Sequence, residues 1–176
     1  MLPNLVLIGF MGCGKSSVGR RLSGLTGHKF TDTDDLIVQT EQRSISEIFA
    51  QNGEEYFRDA ERRALEGLIG ASGLILSTGG GLILRPSNRE ILKQIGIVAW
   101  LDADPDILFE RASRSGKRPL LQTENPRATF DQLIASRREI YAETADFRLD
   151  STMLNHDEAA QMLLDEAMKH RDRFAY

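Results

Sequence analysis

The sequence predicts a single α/β domain, a three-layer fold in which a five-stranded parallel sheet carries helices on both faces. Three observations lead there. Short, continuous apolar runs recur along the chain, as strands buried on both faces do. Stretches with helical spacing separate them, and alternation of strand and helix is the pattern of a parallel sheet covered on both sides. Finally, 176 residues with 41% hydrophobic content suffice for one well-buried core and are too few for two comfortable ones.

Taken in order, Leu5-Val6-Leu7-Ile8 is an apolar run, β-branched at two of four positions, that stops at Gly9; it reads as a central strand. Lys29-Phe30-Thr31 is a weaker second strand. Phe57, Ala60, Ala64, Leu65 and Leu68 have helical spacing. Leu74-Ile75-Leu76 and Ile97-Val98-Ala99-Trp100-Leu101 give strands three and four. Ser113 to Asn125 has no good period, and so long a stretch inside a compact domain is usually functional or disordered. It reads as a mobile lid over about 112–125, with Gly116 as its hinge and Lys117-Arg118-Pro119 as its cationic part. Leu133, Ile134, Ile140 and Tyr141 mark a further helix, Phe147-Arg148-Leu149 a fifth strand, and Ala159, Met162, Leu163 and Ala167 a last helix.

The net charge of −4 gives no basic field of the kind that nucleic acid or an anionic membrane attracts. A small-molecule partner is expected instead. Met1-Leu2-Pro3-Asn4 leads directly into the first strand without a basic leader, and no segment approaches ~20 apolar residues. The cytoplasm is the expected compartment. The single cysteine, Cys13, excludes an internal disulfide framework and a Cys-based zinc site. No feature demands a dimer, so a monomer is expected.

Gly9-Phe10-Met11-Gly12-Cys13-Gly14-Lys15-Ser16 matches G-x-x-x-x-G-K-[ST] at every fixed position, after a strand and at the start of a helix. Glycines let successive backbone N–H groups turn onto phosphate oxygens, and the helix N-terminus adds its positive end. The expected nucleotide site is therefore Gly12, Cys13, Gly14, Lys15, Ser16 and Ser17, with Lys15 bridging the β and γ phosphates and the Ser16 hydroxyl on magnesium. Cys13 reads as a small side chain, the alternative being a thiol activated by the helix N-terminus.

Other chemistry-bearing residues follow the second and third strands. Asp32 and Asp34, at i and i+2, place both carboxylates on one side of an extended segment at the end of the sheet where ligands bind. One could hold magnesium through water while the other accepts a hydrogen bond from a hydroxyl. Asp35, before Leu36 and Ile37, reads as a helix N-cap. Arg58 stands four residues after Glu54 and three before Glu61, which suits either a helix-surface ion pair or bidentate recognition of a carboxylate. Gly79-Gly80-Gly81 lose too much backbone entropy to be packing residues; close approach of a ligand would explain them. Arg118 could neutralise charge on a transferred phosphoryl group. Of Arg137 and Arg138, spacing lets either face inward, leaving the other to Glu139 or solvent.

The set Gly-x-x-Gly-x-Gly-Lys-Ser, Phe30-x-Asp32-x-Asp34, Phe57-Arg58-x-x-Glu61, Gly79-Gly80-Gly81, Arg118-Pro119-Leu120 and Arg137-x-x-x-Tyr141 resembles the shikimate kinase family in order and rough spacing, from about Leu5 to Ala167. The resemblance implies one kinase domain over residues 1–176, with an acceptor-binding region at about 32–62, that phosphorylates the 3-hydroxyl of shikimate from ATP. It implies that Asp34, Arg58, Gly80 and Arg137 bind shikimate, with Gly79 and Gly81 beside them. The two arginines would take its carboxylate. Ser16 and, through water, Asp32 would hold Mg2+, and Lys15 and Arg118 would meet the ATP phosphates. Lys15, Asp34 and Arg118 are then the catalytic set. The resemblance weakens after Asp150, since Ser151 to His156 holds no arginine or glutamine to meet adenine; His156 reads as part of a helix start. Two rivals remain: a gluconate-type kinase, which would not need the Asp32/Asp34 pair with the triple glycine, and a non-catalytic nucleotide-binding module, which would have lost Lys15, the lid arginine or the acceptor carboxylate.

Overall fold

The computed structural model describes residues 2–114 and 121–170. Its sheet consists of β1 (Leu5–Ile8), β2 (Lys29–Asp32), β3 (Leu74–Ser77), β4 (Ile97–Asp102) and β5 (Phe147–Asp150). All neighbours are parallel, in the order β2-β3-β1-β4-β5. The continuous apolar run of β1 earns it the central place, where Leu5 pairs with Ile75 on one side and Ile97 on the other and all four residues are fully buried. The weaker patterns of β2 and β5 have the same cause in reverse. Both lie at sheet edges, where Lys29, Arg148 and Asp150 can reach water.

Among the described residues the helices are α1 (Lys15–Thr26), α2 (Thr33–Glu41), α3 (Ile45–Glu66), α4 (Pro86–Ile95), α5 (Pro105–Arg114), α6 (Pro126–Thr144) and α7 (His156–Lys169), with a 3-10 turn at Leu82–Leu84. Side-chain parity shows both faces of the sheet covered. Leu7 reaches the Gly19 position of α1, so Leu7 and its partner Ala99 point to α1. Trp100, one residue on, points the other way and stacks on Tyr141 of α6 at 5.8 Å. The main core lies between these layers. Ile37, Ile48, Phe57 and Ala60 form a second, separate cluster within α2 and α3, so these two helices carry their own small core. No helix among the described residues is long and apolar enough to cross a membrane.

Three expectations need correction. Asp32 and Asp34 do not share an extended segment: β2 ends at Asp32, whose side chain accepts from the Asp34 backbone N–H at 3.0 Å and caps α2. The N-cap is thus Asp32, and Asp35 sits in the helix's first turn. Met162 is 46% exposed, because Ala159, Leu163 and Ala167 already fill the inward stripe of α7. At the borders of the expected lid, residues 112–114 belong to the last turn of α5, with Ala112 buried, and Asn125 is the N-cap of α6. Gly116, Lys117, Arg118 and Pro119 lie outside the described residues.

Candidate active site

The site is built where β1, β2, β3 and β4 end. Between β1 and α1 the loop turns through left-handed glycines. Gly12 (φ 86°) lies so close to α5 that a Cβ would meet the Leu108 carbonyl at 2.4 Å, and Gly14 (φ 90°) is the N-cap of α1. A Gly N-cap brings no side-chain oxygen to the first-turn N–H groups, and no acidic residue stands in that turn. These donors and the helix dipole are therefore left for an anion. Lys15 Nζ folds back to donate to the carbonyls of Gly9 (2.8 Å) and Phe10 (3.2 Å) and approaches Cys13 Sγ at 3.5 Å. Cys13 is 2% exposed and acts as a packing side chain inside the loop, as read from the sequence. Ser17 is exposed on the first turn of α1.

Ser16 Oγ donates to Asp32 Oδ2 at 2.9 Å, with Ser77 Oγ at 3.4 Å. Two hard oxygens side by side at a phosphate loop suit magnesium, which binds through one or two protein oxygens and fills the rest of its octahedron from phosphate and water. Asp34, in the first turn of α2, faces the glycine loop that follows β3. That loop is held from two sides: Gly79 N–H donates to the buried Thr33 Oγ1 (3.0 Å), while the Gly80 carbonyl accepts from Tyr141 Oη (2.7 Å) and Arg137 Nη1 (3.3 Å). Burial pushes the Tyr141 phenol far up, so it remains a donor across the working pH range.

The three glycines now have individual reasons. A Cβ on Gly79 would lie 2.9 Å from Asp34 Oδ1, and one on Gly81 would lie 3.0 and 3.1 Å from Arg58 Nη1 and Nη2, whereas one on Gly80 would make only ordinary contacts. Bare backbone at 79 and 81 leaves room for the Asp34 carboxylate and the Arg58 guanidinium. Gly81→Ala should therefore push the Arg58 guanidinium aside and raise the KM of a carboxylate acceptor by roughly tenfold with the KM of MgATP unchanged; steady-state kinetics with each substrate varied in turn would show it. Equal shifts in both KM values would deny that the glycine serves Arg58.

Arg58 forms the ion pairs that its spacing allows on both sides. Its Nη1 donates to Glu61 (2.8 Å), and its Nε and Nη2 donate to Glu54 Oε1 (3.2 and 3.0 Å). The Glu61 half is no surface pair, since Glu61 is 1% exposed. Burial pushes the Glu61 carboxyl above its ordinary range; Arg58 opposes this, and nearby Asp34 adds to it. A carboxyl raised by folding contributes stability at pH below its unfolded value, and that contribution is lost as pH rises through the folded one. Against Glu61→Gln, the parent protein should lose relative stability as pH climbs from below the usual carboxylate range to neutrality. Thermal melts of both proteins across that range check the sign, and a parent that gains relative stability would contradict it.

Arg137 is the inward arginine: it is 7% exposed, with its guanidinium 5.5 Å from the Phe10 ring. Arg138 pairs with neither Glu139 nor solvent alone; its partner is Asp102. His156 is the first residue of α7, behind the N-cap Asn155 and its capping box with Glu158, and its ring stands 3.7 Å from the Cβ position of Gly14. Arg118 lies outside the described residues. Sequence reasoning missed Thr33, whose hydroxyl holds the Gly79 N–H. It also missed the start of α3, although Ser44-Ile45-Ser46-Glu47 spells the capping box found there.

A family model described as shikimate kinase matches residues 11–168. A shikimate kinase of Actinobacillus pleuropneumoniae serotype 5b is 45% identical over 148 residues, 84% of this chain and 86% of that one. Among solved structures, a shikimate kinase from Acinetobacter baumannii in complex with shikimate superposes with a TM-score of 0.91 at 37% identity, covering 97% of this chain and 96% of the other. A gluconokinase from Sinorhizobium meliloti 1021 reaches a TM-score of 0.60 at 17% identity, covering 98% and 95% of the two chains, a likeness of fold alone.

Proposed function

Because the chain belongs to the shikimate kinase family, we propose that this site transfers the γ-phosphoryl group of ATP to the 3-hydroxyl of shikimate, giving shikimate 3-phosphate and ADP. The observation that carries the reading is the closeness of the two half-sites. A Cβ on Gly80 would stand 3.6 Å from the Gly9 carbonyl and 3.8 Å from Met11 N, so the loop that holds the acceptor groups lies directly against the loop that holds phosphate.

The chain's residues divide the work. The P-loop amides, the N-terminus of α1 and Lys15 bind the phosphates; Lys15 leaves the Gly9 and Phe10 carbonyls to do so. Arg58 and Arg137 take the acceptor carboxylate as bidentate or charge-assisted partners, and Asp34 accepts a hydrogen bond from the acceptor hydroxyl and aims it at phosphorus. Ser16, directly, and Asp32, through water, would hold Mg2+, which supplies charge neutralisation to the β and γ oxygens. Arg118, from the segment at about 112–125, meets the transferred phosphoryl group. The acceptor-binding region is 32–62, within one kinase domain that works as a monomer in the cytoplasm. Phosphoryl transfer passes through a loose transition state that needs little nucleophilic push, so positioning and charge carry most of the catalysis.

Initial-rate ADP formation from MgATP with shikimate, with gluconate and with no acceptor tests the reading. Strong stimulation by shikimate alone is expected. Stimulation by gluconate would overturn the acceptor assignments and leave the phosphate side standing, and ATP binding without stimulation by either would point to a non-catalytic module.

A further inference from the structure

Among the described residues two carboxylates are buried, Glu61 and Asp102; Glu61 holds Arg58, and Asp102 has no place in the functional reading. Asp102 ends β4 at 2% exposure; its Oδ2 accepts from Arg138 Nη2 of α6 and forms an ion pair with Arg148 Nη2 of β5, each at 2.9 Å. Both guanidinium groups lie over the Trp100 ring, at 5.7 and 5.1 Å. Trp100 stacks on Tyr141, 19° from parallel, and Tyr141 in turn holds the Gly80 carbonyl together with Arg137. A continuous set of contacts therefore runs from Asp102 to the acceptor loop.

We infer that Asp102 is a positioning residue for the acceptor: by gripping Arg138 it sets the rotation of α6 and so aims Arg137, the preceding residue, into the site. The inference rests on the functional reading above. Successive residues on a helix are held about 100° apart, so fixing residue 138 fixes the direction of residue 137. Rotation of α6 by roughly 10° would carry a side-chain group ~6 Å from the axis through about 1 Å, a displacement that commonly costs catalysis heavily. An ion pair with a buried carboxylate is weak evidence for stability, even with half-exposed guanidinium partners, and registry is the better-attested use of buried pairs. Here both ends of the pair are placed to serve that purpose, a strand end and the helix that carries Arg137.

The arrangement contains its own control. Arg138→Met and Arg148→Met each remove one guanidinium from the same carboxylate oxygen and leave an unbranched chain over Trp100, but only the first unties α6. Steady-state kinetics and Tm should be measured for both, with Arg138→Lys as the conservative variant. Arg138→Met is expected to raise the KM for shikimate about fivefold with the KM for MgATP within about twofold, while Arg148→Met leaves both within about twofold at a similar loss of Tm. Arg138→Lys should recover part of the loss. Equal effects of the two Met variants on the shikimate KM, no effect of either, or an equal rise in the MgATP KM would overturn the inference. A wild-type chain whose ADP formation ignores shikimate would instead sink the functional reading, and the inference with it, before any variant is compared.

Discussion

Lys15→Met is expected to lower kcat by on the order of 10²- to 10³-fold while leaving the KM for shikimate within about twofold, the scale seen when one preorganised charge-stabilising donor is lost. The groups proposed for the acceptor come from α2, α3, the glycine loop and α6, and Lys15 hydrogen-bonds to none of them. Its present partners are the carbonyls of its own loop, Gly9 and Phe10. Those contacts hold the ammonium against the loop that the nucleotide phosphates are proposed to enter. Because that charge meets oxygens whose negative charge is redistributed during transfer, its removal should fall on the chemical step. Lys15→Arg should not restore activity, since a planar fork cannot take the place of a compact ammonium inside a closed backbone loop. Single-turnover measurements separate binding from transfer. A variant with kcat within about threefold of the parent would remove Lys15 from the catalytic set.

How much of this could be read from the chain depended on how local the governing physics is. The central strand was legible because Leu5 to Ile8 is apolar throughout, and only a doubly covered strand needs that. The phosphate loop was legible because backbone geometry demands glycine at fixed offsets. The partner of Arg138 was not: Asp102 lies 36 residues earlier in the chain, and the two meet only once β4 and α6 are packed. The burial of Glu61 was hidden for the same reason, since an i, i+3 pair with Arg58 looks identical on an exposed helix face. The error at Asp32 is of another kind. The i, i+2 spacing was right, but a carboxylate that can cap a helix competes with strand continuation, and the cap decided where β2 stops. The resemblance to a known family chose Arg137 over Arg138, and the structure gives the choice a physical basis in the burial of one side chain and the ion pair of the other.

At Asp34 a pair of substitutions distinguishes aiming from proton removal. Asp34 stands in the first turn of α2 with Oδ1 close to Gly79, where a carboxylate can accept the hydrogen bond of an acceptor hydroxyl and hold its oxygen on the line of attack. Asparagine keeps one carbonyl oxygen for that hydrogen bond but cannot take the proton, whereas alanine loses both functions. With a loose transition state the hydroxyl needs little basic assistance, so orientation should dominate. The expected result is that Asp34→Asn lowers kcat about tenfold and Asp34→Ala by on the order of 10³-fold, general-base assistance by itself typically being worth 10²–10⁴. Both variants retain the cap of α2, which Asp32 supplies, so their melting temperatures should stay close to the parent's and the kinetic difference can be read as chemistry. If the asparagine and alanine variants are equally inactive, the proton transfer itself is limiting and Asp34 is a base; an alanine variant with near-parental kcat would place the acceptor hydroxyl elsewhere in the site.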